Sequence, residues 1–217
     1  MSDDSSIVPY EKTVETATRF LEKLVGPSLE ETGLMIQDNV RLWRVKNQIR
    51  ILNKAQEYCA KKGINPKQIP IKTLVPLLEY GSLEENPKIQ EKWASLLAHA
   101  SESPSNNNII SSYAQILNQL SSKEVVILDR LFLEYLFAPQ EKRAGLTFGT
   151  QKVCSILQLS EEEFKIILGN LTRLHILQSP ASHGGVKIGS YPIVMRTDEA
   201  FQFTALGCDF IRTCKNE

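Results

Sequence analysis

The sequence has no apolar run longer than a few residues and therefore no candidate for a membrane-spanning helix. It also lacks the pattern of a secretory signal, because its start, MSDDSSIVPYEK, opens with acids and has no basic stretch ahead of an apolar one. We therefore expect a cytoplasmic protein. Its 217 residues are enough to bury a core in one large domain or in two small ones.

An excess of either charge is missing as well. The 25 basic residues are matched by 25 acidic ones, and each half of the chain is also balanced. A strongly basic module, the kind that binds nucleic acid by releasing counterions, is therefore not indicated. We expect a protein partner or self-association, with a membrane surface as a further option and nucleic acid as the least favoured partner.

Motifs that hold a metal, a cofactor or a reacting nucleophile are absent. The sequence contains no HExxH, GxSxG or P-loop pattern, and its four cysteines form neither a CxxC pair nor a Cys/His cluster with zinc spacing. We expect no metal, no cofactor, no catalytic residues, and reduced, mostly buried thiols. A cryptic enzyme such as a nuclease stays open as an alternative, because catalytic residues can meet from distant segments.

Helical periodicity dominates what the sequence does contain. Apolar residues recur at helical spacing over residues 9–25, and GPS then breaks the pattern. Ser28 with Glu31 forms a capping box, and no strong helix breaker follows before Gly63. The pattern predicts a helix of about 35 residues, roughly 50 Å long, which would serve as the spine of a helical bundle.

The predicted spine helix has two unlike faces. Its apolar face consists of Leu42, Val45, Ile49, Leu52 and Cys59. The candidate residues for contact with an anionic surface lie nearly opposite and are Trp43, Lys46, Arg50, Lys54 and Lys61. This side is either a solvated face that pairs with acids on neighbouring helices or a surface for anionic lipid, nucleic acid or an acidic partner, with Trp43 as an aromatic anchor.

The segment EYGSLEENPKIQEKWASLLAHAS offers two helix starts. Ser82 with Glu85 forms a capping box, and Asn86 with Pro87 forms a second pair of N-cap and first helical residue. The apolar stripe that follows consists of Ile89, Trp93, Leu96, Leu97 and Ala100. This stripe predicts a buried helix in which the tryptophan is a packing anchor rather than a ligand-binding residue.

The pattern changes after residue 119. Capping signals at Ser121 and Ser160 open two helices, and the strings GGVKIGS, PIVMRT and AFQFT predict short strands. A last helix follows Thr204 as its cap, with Gly207 allowing close packing. Helix, helix, helix, β-hairpin and helix is the order of a winged helix.

The expected fold is therefore mainly α, with an N-terminal helical bundle built on one long spine helix and a C-terminal winged-helix-like domain that carries a small β-hairpin. The predicted parts are a flexible tail over 1–8, a helical domain over 9–119 and the winged-helix-like domain over 120–217.

The winged-helix prediction raises the question of DNA binding. In a domain that reads DNA, the N-terminal turn of the recognition helix meets bases and phosphates. Here that turn carries three glutamates at 161–163, which repel phosphate and suit the positive end of the helix dipole. Only Lys165, Arg173 and the wing Lys187 compensate. We favour protein contact or dimerisation and keep nucleic-acid contact through these three cations as the alternative.

A final group of motifs carries a family resemblance. It consists of LVGPSLEETGLMIQDNVRLWRVKNQIRILNKA, IPIKTLVPLLEYGSLEENPKIQEKWASLLAHA and YAQILNQLSSKEVVILD. The most specific pieces are SLEE leading into KWASLLA and the GPSLEETG stretch. Together these stretches, from about Leu21 to Asp129, resemble the Abi-alpha family, bacterial proteins linked to abortive infection. The winged-helix-like part resembles the same proteins more weakly.

The resemblance implies a role in phage defence, in which an infected cell stops growing or dies before the phage matures. It supplies no catalytic residues. The expected function is a non-enzymatic abortive-infection protein that acts through protein or membrane contacts, located in the cytoplasm and, on activation, at the periphery of the inner membrane. The alternatives are a winged-helix regulator that binds nucleic acid and the cryptic enzyme.

Overall fold

The computed structural model describes residues 7–25, 42–102, 107–143, 145–180, 186–188, 191–193 and 200–215. The chain divides into two compact units. The N-terminal unit comprises residues 1–122 together with 213–217, and the C-terminal unit comprises residues 123–212. The structure is mainly helical and includes small antiparallel sheets, which confirms the predicted fold class at this level.

The described part of the N-terminal unit is built from helices. They are α1 (Ile7–Val25), α2 (Leu42–Lys62), α3 (Ile71–Gly81), α4 (Pro87–Glu102) and α5 (Asn107–Asn118). α2 packs against α1 and α4, and α3 packs against α5. The largest fully buried side chains of this unit include Phe20 on α1, Ile51 on α2, and Trp93 and Leu96 on α4. α2 and α4 therefore form the centre of the unit.

α2 ends where the sequence predicts, at a glycine in the left-handed region. Gly63 has a φ of +67°, and its amide donates to the Ala60 carbonyl at 3.3 Å. The Ile64 amide donates to the Cys59 carbonyl at 2.8 Å. This pair of bonds is the Schellman arrangement, which satisfies the last carbonyls of a helix. The described helix has 21 residues, and the predicted start at Ser28 lies outside the described residues.

The buried face of α2 is rotated from the predicted one. Val45 and Ile49 are only half-buried, whereas Ile51, Ala55 and Tyr58 are buried. A helix with neighbours on two sides buries a wider stripe than a helix packed on one side. α2 contacts both α1 and α4. The prediction that α2 buries one narrow apolar face is therefore wrong.

α4 starts at the second of its two predicted sites. The Asn86 side-chain oxygen accepts a hydrogen bond from the Lys88 amide at 3.0 Å, which is the expected N-cap bond. Ser82 instead follows the end of α3, and its hydroxyl donates to the Glu79 carbonyl at 2.6 Å. The predicted capping box of Ser82 with Glu85 is therefore wrong, because the serine serves the preceding helix.

The stripe predicted on α4 is buried, and Trp93 is the largest fully buried side chain of the described core. Its ring lies 6.5 Å from the Tyr80 ring, centroid to centroid. Gly81 lets the end of α3 approach both α2 and α4. A Cβ at this position would lie 2.9 Å from Ile51 Cδ1 on α2 and 3.3 Å from Trp93 Cγ on α4. The predicted packing role of Trp93 is confirmed.

The C-terminal unit combines helices with five short strands among its described residues. The helices are α6 (Ser122–Phe137), α7 (Gln140–Arg143), α8 (Thr150–Leu157), α9 (Glu161–Arg173) and α10 (Ala205–Thr213). The strands are β1 (Phe148–Gly149), β2 (Leu177–Gln178), β3 (Val186–Ile188), β4 (Tyr191–Ile193) and β5 (Ala200–Phe203).

Two small antiparallel sheets result from the pairing of these strands. β5 lies between β1 and β2, with Phe148 opposite Phe201 and Leu177 opposite Phe203. β3 and β4 form a separate hairpin. The predicted strands correspond to β3, β4 and β5, whereas β1 and β2 were missed. The winged-helix assignment stays a prediction.

Local capping chemistry in the C-terminal unit matches the sequence. Ser160 Oγ accepts from the Glu163 amide at 3.2 Å, and Thr204 Oγ1 accepts from the Gly207 amide at 2.8 Å. Gly207 is required sterically, because a Cβ there would lie 2.1 Å from the carbonyl oxygen of Ile176. Both predicted caps and the predicted close packing at the glycine are confirmed.

Candidate functional site

The cations on the predicted basic side of α2 are of two kinds: some are exposed, and one forms an ion pair within the N-terminal unit. Lys46, Arg50 and Lys61 are exposed, and we call these three residues the basic surface. Arg50 donates from Nη1 to Asn47 Oδ1 at 3.3 Å. Within the described part of the chain, no acid forms an ion pair with these three side chains. The basic surface is therefore available to an external anionic group.

Lys54 is used inside the N-terminal unit. Its ammonium nitrogen lies 2.8 Å from Glu91 Oε1 and 3.3 Å from the Pro87 carbonyl oxygen, both at the start of α4. Its side chain is about three-quarters buried, at 28% exposure. This ion pair links α2 to α4. It agrees with the first of the two interpretations of the basic side, in which its cations pair with acids on neighbouring helices. Trp43 lies in the first turn of α2, and its side chain is outside the described residues.

A buried polar network fixes the turn between α3 and α4. Asn47 on α2 donates to the Ser82 carbonyl at 3.1 Å and accepts from Gln90 Nε2 at 3.2 Å. Gln90 also donates to the Glu84 carbonyl at 2.8 Å. Arg44 Nε donates to Ser82 Oγ at 3.0 Å. Because Asn47, Ser82 and Gln90 are each almost fully buried, these bonds satisfy groups that would be costly to leave unpaired.

This network fixes the segment over residues 79–101 to α2. Its polar residues bond to α2 and to the turn itself, while its apolar stripe fills the core. The segment is therefore a structural clamp on α2. The clamp holds the helix that carries the basic surface.

The three candidate nucleic-acid contacts lie on two elements of the C-terminal unit, Lys165 and Arg173 on α9 and Lys187 in β3. Arg173 directs both Nε and Nη2 to Asn170 Oδ1, at 3.2 Å and 2.7 Å. Lys165 is exposed on α9, and Lys187 lies in β3 with its side chain outside the described residues. The first turn of α9 presents three exposed glutamates, of which Glu163 pairs with Lys123. This geometry favours repulsion of phosphate at the helix start.

Three of the four cysteines, Cys59, Cys154 and Cys208, have a pKa that is raised by burial. Burial raises the pKa of Cys59, and a contact with Ser101 Oγ at 3.8 Å opposes the shift in part. Burial likewise raises the pKa of Cys154, with the charge of Glu161 adding to the effect. It also raises the pKa of Cys208, whose thiol contacts Tyr135. A nucleophilic cysteine needs a lowered pKa, so none of these three has the electrostatics of one.

Two of the histidines lie in the described residues, His99 within α4 and His175 after α9. His99 lies 2.8 Å from the Ser95 carbonyl through Nδ1, which therefore carries a proton, and its ring is 5.5 Å from the ring of Tyr58. His175 is exposed in the turn after α9, and His183 lies outside the described residues. Across the described ranges, no group of three or more His, Cys, Asp or Glu side chains could hold a metal ion.

In the ranges given above, no helix combines the length with the apolar character that crossing a bilayer requires.

One surface feature escaped the sequence reasoning. Val126, Leu133 and Phe137 on α6 are exposed, whereas the sequence KEVVILDRLFLEYLF predicts only a helix and not which of its residues face outward. The number of large apolar residues in this helix could have indicated that some of them are exposed. This helix holds more large apolar residues than one buried face can accept, so some of them must face outward.

Comparison with known proteins gives one positive result. The family model described as abortive infection alpha matches residues 46–214. This range spans both structural units, so it includes the C-terminal part, whose resemblance to the family is the weaker one in the sequence motifs. The GPSLEETG stretch lies ahead of the matched range. No curated protein and no solved structure matches the chain.

The matched range covers most of the 217 residues and includes the α2–α4 core, the clamp segment and the sheet of the C-terminal unit. The chain therefore belongs to the abortive infection alpha family.

Proposed function

We propose that this protein takes part in phage defence as a non-enzymatic component and acts by contact, with the anionic face of the inner membrane as its target. Family membership supplies the process, abortive infection. The observation that carries the mode of action is the basic surface of Lys46, Arg50 and Lys61, exposed along one side of α2 and without an acidic partner among the described residues. The protein would be cytoplasmic and become peripheral to the membrane on activation.

The strength of such a contact follows from the number of cations. Each Lys or Arg near an anionic lipid surface contributes about 1 kcal/mol, so three contribute roughly 3 kcal/mol. Glu57, which is exposed on the same helix, opposes part of this attraction. The contact of one chain with the membrane is therefore weak and reversible. A weak contact suits a defence protein that must stay inactive before infection.

The first test measures binding to vesicles. The protein is sedimented with vesicles of phosphatidylcholine alone and with vesicles that contain phosphatidylserine or phosphatidylglycerol. We expect binding only to the anionic vesicles, and weakening as salt rises, because the screening length falls from about 10 Å at 0.1 M to about 3 Å at 1 M. Equal binding to neutral vesicles would remove the electrostatic proposal.

A matched pair of variants locates the contact. The first reverses the basic surface with Lys46→Glu, Arg50→Glu and Lys61→Glu. The control reverses three other exposed lysines with Lys72→Glu, Lys88→Glu and Lys152→Glu, which gives the same net charge. We expect the first variant to lose at least about a hundredfold in affinity, since three attractions become repulsions. A similar loss in both variants would show that only total charge matters.

The same variants connect the contact to defence. Cells that express the protein are infected with phage, and plaques, growth and membrane potential are followed. We expect protection with early depolarisation for the natural sequence and for the control, and loss of both for the reversed basic surface. Protection that survives reversal of the basic surface would shift the target from the membrane to a protein.

A further inference from the structure

We propose that the exposed side of α6 is a self-association surface, through which two copies of the chain pair in antiparallel orientation about a two-fold axis. This inference is independent of the proposed membrane contact. The surface consists of Val126, Arg130, Leu133 and Phe137, which we call the α6 stripe, with Glu134 along its edge. The spacing of four, three and four residues places the stripe on one side of the helix.

The apolar residues of the α6 stripe are exposed enough to form a surface for binding another protein chain. Phe137 is 86% exposed, Val126 is 56% exposed and Leu133 is 38% exposed. Single exposed apolar residues are ordinary, but several in one row along about three turns make a contiguous patch. A shallow groove between α6 and α8 continues the patch, with Ile156 as a further exposed apolar residue at its wall.

The exposed phenylalanine is held in place by the fold. Arg143 donates from Nη2 to the Leu136 carbonyl at 2.6 Å and from Nε to the Ala138 carbonyl at 2.9 Å. Its guanidinium also lies 5.9 Å from the ring centroid of Tyr135. These contacts satisfy carbonyls on both sides of Phe137 and close the end of α6. The ring is therefore presented from an ordered helix end, which lowers the entropic cost of contact.

The charges of the stripe identify the partner as a second copy. Arg130 and Glu134 are one helical turn apart, lie on the same edge of the stripe, and form no ion pair within the described residues. A two-fold axis that crosses α6 midway between them sets Arg130 of each copy opposite Glu134 of the other. The interface then contains the same oppositely charged pair twice, as an isologous contact requires.

The apolar residues obey the same symmetry. Val126 and Phe137 lie at nearly equal distances on either side of that midpoint, so each valine meets the phenylalanine of the other copy. Leu133 lies near the axis and meets its own equivalent. One helix face therefore supplies a complementary surface for itself, with aromatic anchors at both ends and paired charges along one edge.

The interface is small, since a 16-residue helix is about 24 Å long and about 10 Å wide. Interfaces below the standard size belong to the weak, transient class. We therefore expect a dimer in the micromolar range of dissociation constants, with monomer and dimer both present over ordinary working concentrations.

Sedimentation equilibrium of the full chain across the micromolar range tests the proposal. We expect the average mass to rise with concentration from 24.5 kDa toward twice that value. Phe137→Asp should raise the dissociation constant at least about tenfold, because it places a charge where an aromatic anchor is buried. The control is Ile166→Asp, which changes another highly exposed apolar residue of the same unit and should leave the constant unchanged.

A charge exchange tests the symmetry itself. Arg130→Glu alone and Glu134→Arg alone each set like charges against each other and should weaken the dimer about threefold to tenfold. The double variant restores opposite charges and should recover the original constant. A chain that stays monomeric at all concentrations overturns the proposal. So does a dimer indifferent to Phe137→Asp, or a double variant no tighter than the two single ones. Circular dichroism verifies that each variant is folded.

Discussion

The contact between Gly207 and the backbone of Ile176 allows the sharpest stability prediction. A Cβ added at Gly207 would lie 2.1 Å from the Ile176 carbonyl oxygen and about 3 Å from two further backbone atoms of that residue. The obstacle is backbone, so rotation of a side chain cannot relieve it. The same carbonyl accepts the amide of Thr204 at 3.0 Å. Moving this carbonyl therefore disturbs the bond that joins the residue before β2 to the residue before α10.

Gly207→Ala should therefore destabilise the protein by about 3 kcal/mol, at the upper end of the range for overpacked sites. Gly169→Ala is the matched control. Gly169 is exposed in α9, and a Cβ there has no neighbour within 4 Å. Its replacement should stabilise the helix by about 0.8 to 1.0 kcal/mol through helix propensity alone. The same chemical change is thus expected to have opposite signs at the two sites.

Urea unfolding followed by circular dichroism measures both effects, and hydrogen exchange of the α10 amides locates the loss in Gly207→Ala. A Gly207→Ala variant as stable as the natural protein would refute the reasoning, because it would mean that α10 and the Ile176 backbone are not in contact. A destabilising Gly169→Ala would show that the outer side of α9 is covered.

Three further predictions concern the N-terminal unit. Trp93→Ala should lower the free energy of unfolding by about 3 to 5 kcal/mol in urea titrations, because it empties the largest buried position of the core. Gly63→Ala should lower it by about 1 kcal/mol, since the residue holds a φ of +67°, and Gly63→Asn should cost less. Stability should fall as pH rises through and above the ordinary thiol pKa of about 8.5, because burial raises the pKa of Cys59 in the folded state and the unfolded chain releases its proton first. Cys59→Ala should reduce this slope in unfolding curves taken between neutral and alkaline pH, and an unchanged slope would assign the alkaline loss to other groups.

Features set by local chemistry could be predicted from the sequence. The end of α2 at Gly63 and the caps at Ser160 and Thr204 depend on residues within a few positions of each other, so their patterns are visible in a short window. The burial of Trp93 follows from the apolar stripe in the same way. These elements of the mainly helical fold needed no knowledge of distant contacts.

Features that depend on contacts between distant segments could not be predicted from the sequence. The choice between the two starts of α4 depends on Arg44 and Asn47, which bond to the Ser82 hydroxyl and carbonyl from another helix. Strands β1 and β2 have two residues each, too few for a period of two to appear, and they exist because β5 pairs with both.

The same limit applies to the candidate surfaces. The basic residues of α2 were visible as a group, but the pairing of Lys54 with Glu91 joins residues on different helices, so no local pattern separates Lys54 from its exposed neighbours. Phe137 stands among other large apolar residues of α6, and the sequence alone does not say which of them face outward.

The two proposals make a joint prediction. If both proposals hold, a single basic surface would attract an anionic membrane by only about 3 kcal/mol. A dimer would present two such surfaces, and a second contact to the same membrane would form at a high effective concentration once the first is made. Dimer formation through the α6 stripe would therefore increase membrane binding by one or more orders of magnitude and make it depend steeply on protein concentration. This dependence provides a physical basis for a defence protein that is inactive when dilute.

Phe137→Asp isolates this effect, because it leaves all three cations of the basic surface unchanged. Vesicle binding should be equal for the natural sequence and the variant below the dimer dissociation constant, and should diverge above it in favour of the natural sequence. Ile166→Asp should follow the natural curve throughout. Equal binding at every concentration, with the dimer established by sedimentation, would mean that the two basic surfaces of the dimer cannot reach one membrane together, and attachment would then be a property of single chains.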